Sequence, residues 1–91
     1  MSLRASVEIS FYPIRDAYLA PIEAVIDALR EAPGVEIEVN AMSTQVYGAY
    51  DDVMAAVTAA MAPALREAPG AFVLKVLGID ARAPHPSSAR S

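Results

Sequence analysis

The heptad ALREAPG occurs twice in this chain, at residues 28–34 and again at residues 64–70. In each copy an arginine precedes a Pro-Gly pair that is typical of the end of a helix. Each copy is followed by a run in which apolar and polar residues alternate, which predicts a strand. We interpret the repeat as the internal symmetry of a two-part fold, and we assign no chemistry to its arginine and glutamate.

A strand and a helix are predicted before the end of the first copy. Residues 6–13 alternate between apolar and polar side chains, which predicts a half-buried strand that Pro13 ends. Over residues 19–31 the apolar spacing becomes helical, and Asp16 is the predicted N-terminal cap. The stripe predicted to face the core is Leu19, Ile22, Val25, Ile26 and Leu29.

A hairpin and a second helix are predicted between the two Pro-Gly pairs. Residues 34–40 and 44–48 are short alternating runs, which predicts two strands joined by a tight connection. Asp51 or Asp52 is expected to cap the second helix, and Pro63 predicts a kink or break between residues 59 and 63. The predicted core stripe is Val53, Val57, Ala60, Met61, Ala64 and Leu65. Residues 71–79 form the last predicted strand.

The predicted order of elements is therefore β-α-β-β-α-β. This order predicts a ferredoxin-like α+β fold, with a four-stranded antiparallel sheet and two helices on one face. We expect the first and third strands in the centre of the sheet. Residues 1–80 are assigned to this single domain, and residues 81–91, which are rich in proline and serine, to a C-terminal tail.

The composition argues against several classes of protein. The sequence has no cysteine and no apolar run of 18 residues, so we expect a cytoplasmic protein that does not contact membranes. Ten acids and four bases lie between Ala5 and Leu77, and such a body repels the phosphate backbone of nucleic acids. A neutral or cationic small molecule is the easier partner, although acidity by itself also serves solubility.

Patterns typical of catalysis are missing from the sequence. The single histidine, His85, lies between prolines in the tail, and there is no metal-ligand cluster or Gly-rich phosphate loop. We therefore expect no enzymatic activity, no catalytic residue, no metal and no cofactor.

The stretch NAMSTQVYGAYDD, residues 40–52, is harder to explain as scaffold because it is dense in polar and aromatic side chains. Thr44 is predicted to face the helices, where an unpaired hydroxyl costs about 1–3 kcal/mol, so it needs a backbone, water or ligand partner. Gly48 suggests a bulge or a close approach of the second helix. Tyr12, on the neighbouring strand, would bring another aromatic ring to this region.

These elements resemble the YkoF-like thiamine-binding family over about residues 5–78. Tyr12-Pro13, Met42-Ser43-Thr44, Gly48 and the acidic pair Asp51–Asp52 carry the resemblance; Tyr47, Asn40-Ala41 and Pro63 depart from the family pattern. The resemblance implies assembly into dimers or tetramers through the sheets, and binding of thiamine or its hydroxymethylpyrimidine part without a reaction. The ligand-binding residues expected on this basis are Tyr12, Asn40, Met42, Ser43, Thr44 and Tyr47.

Two other functions remain open at this point. An oligomerising structural or regulatory module, with another ligand or none, is favoured by Tyr47, Val73 and Leu77 on outward strand faces. A small ferredoxin-like enzyme, either acylphosphatase-like or of the dimeric α+β-barrel type, is less well supported. An acylphosphatase-like enzyme needs an anion-binding loop, for which Arg15 is the only candidate. An enzyme of the dimeric α+β-barrel type often needs a core histidine, and the predicted core contains none.

Overall fold

The computed structural model describes residues 3–14, 17, 19–41 and 43–80, and these residues form four strands and two helices. The elements follow the predicted order: β1 (Arg4–Pro13), α1 (Leu19–Glu31), β2 (Val35–Val39), β3 (Thr44–Ala49), α2 (Tyr50–Glu67) and β4 (Gly70–Leu77). Pro13 ends β1 as predicted. The predicted cap Asp16 and the predicted tail lie outside the described residues.

The sheet has the order β2-β3-β1-β4, and each neighbouring pair is antiparallel. The predicted ferredoxin-like fold, with the first and third strands in the centre, is confirmed. Both helices pack on the sheet face that carries Val7, Ile9 and Val46, which are at most 3% exposed. The opposite face, which we call the outer face, carries the alternate side chains of each strand.

The helices bury narrower stripes than the sequence predicts. Val25 and Leu29 of α1 and Val53 and Val57 of α2 are buried, and two alanines of α2 are buried beside them. Leu19 is instead 63% exposed and Leu65 is 47% exposed, so these two core assignments are wrong. Both leucines lie in terminal turns, the first of α1 and the last of α2. At this end of the molecule the side chains between the two helices are mostly alanine and proline, so the helix layer contains little apolar side-chain volume there.

The predicted aspartate cap of α2 and a break of the helix at Pro63 are wrong, while a kink there stays a prediction. Its N-cap is Ala49, without a side-chain cap, because the Tyr50 N–H donates to the Leu3 carbonyl at 2.7 Å and the first turn begins there. Asp51 and Asp52 lie in that first turn, where negative charge still favours the helix dipole. The helix also runs through Pro63 without a break. Pro63 and Ala59 are both exposed, so water can solvate the Ala59 carbonyl that loses its N–H partner.

The two heptads end their helices at equivalent residues, Glu31 and Glu67, but launch their strands differently. Gly34 has φ +80°, a left-handed conformation that glycine adopts without penalty, and β2 begins one residue later. Gly70 is already the first residue of β4. The internal symmetry therefore holds for the helix ends and is lost at the glycine.

Candidate functional site

The hairpin between β2 and β3 brings several polar side chains to the outer face beside β1. The Asn40 N–H donates to the Ser43 carbonyl at 2.8 Å and closes the connection. Glu8 accepts hydrogen bonds from Ser43 Oγ at 3.2 Å and Gln45 Nε2 at 3.3 Å, and Lys75 Nζ lies 3.6 Å from its other oxygen. Asn40 Nδ2 donates to Gln45 Oε1. These contacts fix the hairpin against β1.

Thr44 lies on the opposite, helix-facing side of the sheet and is only 7% exposed. It lines a pocket of about 120 Å³ between α1 and the sheet, which we call the polar pocket. Ser10, Asn40 and Ser43 also line it, together with apolar side chains of α1. Within the described part of the chain no fully buried side-chain nitrogen or oxygen lacks a hydrogen-bond partner. By its lining, the polar pocket combines hydrogen-bonding groups of the hairpin with an apolar wall from α1.

Tyr47 points to the outer face as predicted, yet it is only 6% exposed. The chain after β4 helps to cover this region, because Ser6, the cross-strand partner of Tyr47, donates to the Ile79 carbonyl at 2.7 Å. The hydroxyl of Tyr47 donates to Glu38 Oε1 at 3.1 Å. Burial raises the pKa of Tyr47, and the hydrogen bond to Glu38 and the negative charges of Glu38 and Asp80 raise it further.

The predicted site residues therefore divide into separate places. Asn40, Ser43 and Thr44 meet at the polar pocket. Tyr12 is 56% exposed on the outer face and lies six residues along β1 from Ser6, the partner of Tyr47. At about 3.3 Å per strand residue this places the two tyrosines about 20 Å apart. Met42 lies outside the described residues.

A second and larger pocket adjoins the polar pocket and was not anticipated from the sequence. It has a volume of about 340 Å³ and lies between the start of α1, the end of α2 and the end of β1. We call it the apolar pocket because its lining is mostly alanine and proline. The lining residues are Phe11, Pro13, Ala20, Pro21, Ala24, Val25, Ala28, Ala60, Pro63, Ala64, Glu67, Ala68 and Pro69.

Phe11 lies where the two pockets meet, since it lines both of them together with Val25. Its ring stacks on Phe72, its cross-strand partner, with centroids 4.2 Å apart and planes 6° from parallel. A Cβ atom at Gly70 would lie 2.7 Å from Phe11 Cε1, so this glycine leaves room for the ring. Phe72 and Gly70 together fix the position of the Phe11 ring where the two pockets meet.

Comparison with known proteins identifies the family of this chain. Residues 7–90 match the sequence model of the thiamine-binding protein family, which is nearly the whole chain. The chain belongs to the thiamine-binding protein family. The resemblance inferred from residues 5–78 is thereby confirmed. The match continues to residue 90, past the predicted domain end at residue 80, and that boundary stays a prediction. No curated protein matches the chain.

Several solved structures share the fold of this thiamine-binding family member. A Streptococcus pneumoniae protein aligns with a TM-score of 0.76 at 24% identity over 82% of this chain and 86% of that one. A putative thiamine biosynthesis/salvage protein from Thermotoga maritima aligns with a TM-score of 0.73 at 18% identity over 94% of both chains. A hypothetical protein from Methanocaldococcus jannascii gives 0.72 at 22% identity, over 81% of this chain and 78% of that one.

A signal for the apolar pocket was present in the sequence but was not recognised. Alanines recur every fourth residue on α1, at 20, 24 and 28, and near the end of α2, at 60, 64 and 68. This spacing places small side chains on one face of each helix, so two facing helices leave space between them. Ala28 and Ala64 are the first residues of the two heptads, and both line the pocket.

The described residues contain no group of three or more His, Cys, Asp or Glu side chains placed to hold a metal ion. None of the helices, within the ranges that the structure covers, is long and apolar enough to cross a membrane. Gly48 shows the predicted close approach, though mainly to the turn before β2: an added Cβ would lie 2.7 Å from the Gly34 carbonyl oxygen and 3.5 Å from Val53 of α2.

Proposed function

We propose that this protein binds thiamine, or its hydroxymethylpyrimidine part, in the cytoplasm and does not transform it. The observation that carries the proposal is the pair of adjoining pockets that share Phe11 and Val25, in a member of the thiamine-binding protein family. Thiamine has two rings joined by one methylene group, so a ligand of this shape suits two pockets that meet at one aromatic side chain.

The aminopyrimidine is assigned to the polar pocket. This ring carries an amino donor and ring-nitrogen acceptors, and it needs polar partners inside an otherwise apolar site. Thr44 supplies a hydroxyl group that donates or accepts. The side chains of Ser43 and Asn40 bond to Glu8 and Gln45 at the outer face, so these two residues supply backbone groups at the rim. Apolar residues of α1, Ile22 and Ile26, line the same pocket and suit the ring faces.

The thiazolium ring is assigned to the apolar pocket. Its volume of about 340 Å³ and its alanine lining accept a compact ring without displacing side chains. Phe11 lies between the two assigned positions, and a cation over an aromatic face gains about 0.5–2 kcal/mol. The acidic body of the protein favours the cationic vitamin over its anionic diphosphate.

We also propose that the protein assembles as a homo-oligomer, a dimer or tetramer, through its outer faces. Val73 and Leu77 of β4 project from the outer face and are 58% and 46% exposed, and Tyr12 lies on the same face. Burying such side chains against a second sheet stabilises an assembly. The alternative function, an oligomerising module without this ligand, shares the assembly and differs only in binding.

Thermal unfolding with increasing thiamine or hydroxymethylpyrimidine separates the two functions. A ligand at 100 times its Kd stabilises the native state by about 2.7 kcal/mol, so the melting temperature should rise with both compounds. Native mass spectrometry of the same sample should show a dimer or tetramer and one ligand per chain. An oligomer whose melting temperature neither compound changes at millimolar concentration would support the module without ligand instead.

A further inference from the structure

The apolar pocket has a single charged lining residue among those that the structure describes, and this residue is Glu67. Glu67 is the last residue of α2 and belongs to the second heptad. It makes no hydrogen bond or ion pair with another described residue. Its carboxylate therefore remains available to a ligand at the mouth of a pocket lined otherwise by apolar side chains.

The helix ends at this pocket do not by themselves favour either sign of charge. Ala20 and Pro21 bring the start of α1, the positive end of its dipole, and Glu67 and Ala68 bring the end of α2, the negative end. These opposite partial charges offset each other at the pocket. Among the described lining residues, the Glu67 carboxylate is then the full charge that favours one sign of ligand.

We propose that Glu67 makes the apolar pocket selective for a cationic ring, so that the protein discriminates thiamine from neutral pyrimidines. This inference rests on the proposed function and adds the residue that sets its ligand charge. The polar pocket contributes to both thiamine and hydroxymethylpyrimidine, whereas Glu67 contributes only to the ligand that carries the thiazolium. Free hydroxymethylpyrimidine therefore binds without help from Glu67.

The first heptad supplies a matched control. Glu31 is the equivalent residue at the end of α1, is exposed, and does not line the pocket. Glu31→Gln and Glu67→Gln each remove one negative charge from the end of a helix, where a carboxylate opposes the dipole. The two variants therefore match in net charge and in the expected effect on stability, and they differ in their place relative to the pocket.

The test is calorimetric titration of thiamine and of hydroxymethylpyrimidine into the wild-type protein and both variants at low salt. Glu67→Gln should weaken thiamine binding by about three- to fivefold, the upper part of the range for an exposed ion pair, and leave hydroxymethylpyrimidine within about twofold. Glu31→Gln should leave both affinities within about twofold. Added salt should weaken thiamine binding in the wild type more than in Glu67→Gln.

Each other outcome overturns part of this scheme in a recognisable way. Equal losses of thiamine affinity in the two variants would assign the preference to overall charge rather than to Glu67. Parallel loss of both ligands in Glu67→Gln alone would make Glu67 a residue that shapes the pocket. A wild-type protein that binds hydroxymethylpyrimidine but not thiamine would contradict the cation preference and keep the polar pocket. A wild-type protein that binds neither would overturn the proposed function itself, and the cation preference with it.

Discussion

The ring of Phe11 stacks on the ring of Phe72 at 4.2 Å, yet only Phe11 lines the pockets. The two residues are cross-strand partners on β1 and β4, on the face that the helices cover. Phe72 thus supports the ring that lies between the two proposed ligand positions. Because only one of the two stacked rings lines the pockets, substitutions of Phe11 and Phe72 separate an effect on stability from an effect on binding.

Replacing Phe11 by leucine should weaken thiamine binding by about five- to tenfold, because an aromatic contact contributes about 0.5–1.5 kcal/mol beyond its buried area. The free energy of unfolding should fall by about 1 kcal/mol as the ring pair is lost. Calorimetric titration and urea unfolding measure the two effects. Phe72→Leu is the control: it should cost similar stability and leave thiamine affinity within about twofold. Equal affinity losses in the two variants would show that the ring pair acts only through the fold.

The apolar pocket can be filled from the α2 side. Ala64→Leu should place a larger side chain in the pocket and weaken thiamine binding at least about tenfold, since ligand and side chain then compete for the same volume. Hydroxymethylpyrimidine should retain its affinity within about threefold, because its polar pocket does not include Ala64. Ala59→Leu lies on the exposed side of α2 and should change neither affinity. If Ala64→Leu bound thiamine normally, the thiazolium could not occupy this pocket.

The polar pocket is tested at Thr44. Thr44→Val keeps the shape of the side chain but removes the hydroxyl, so each ligand that contains the pyrimidine should bind about three- to tenfold more weakly. Both thiamine and hydroxymethylpyrimidine should lose affinity by the same factor. Thr58→Val, on the exposed surface of α2, is the matched control and should leave binding unchanged. If Thr44→Val bound both ligands with normal affinity, the Thr44 hydroxyl would not be part of the binding site.

Tyr47 predicts a pH dependence of stability that is separate from binding. Its pKa is raised in the folded state by burial and by Glu38, so the folded protein resists loss of the phenolic proton more than the unfolded chain does. The resulting stability is fully present below the unfolded pKa of about 10 and is lost as pH rises through the folded pKa. Urea unfolding between pH 8 and about 11.5 should therefore show a steeper decline for wild type than for Tyr47→Phe. Parallel curves of stability against pH for the two proteins would contradict this assignment. Tyr47→Phe should leave thiamine affinity unchanged, because Tyr47 lines neither the polar pocket nor the apolar pocket.

The sequence was sufficient for the fold because its local signals agree with one another. The two heptads mark the helix ends at Glu31 and Glu67, and the alternating runs fix which face of each strand is buried. The order of elements then leaves few topologies, and the observed sheet order is the one expected. Pattern alone could not show that the Leu3 carbonyl would meet the first amide of α2, since that contact joins distant parts of the chain.

The candidate site was predictable only in part. Asn40, Ser43 and Thr44 are near one another in sequence, so their meeting at the polar pocket follows from one hairpin. Tyr12 and Tyr47 looked close because their strands are adjacent, but the register of β1 with β3 places them far apart along the sheet. The apolar pocket is formed by small side chains from two helices, and an alanine pattern does not by itself distinguish tight packing from space.

A crystal structure of the protein with thiamine tests the central claim most directly. We predict the aminopyrimidine within hydrogen-bond distance of Thr44 or Ser43, the thiazolium in the pocket lined by Ala28 and Ala64, and the Phe11 ring in contact with the ligand between them. Thiamine bound on the outer face of the sheet, or with its rings in neither pocket, would contradict this assignment of the site.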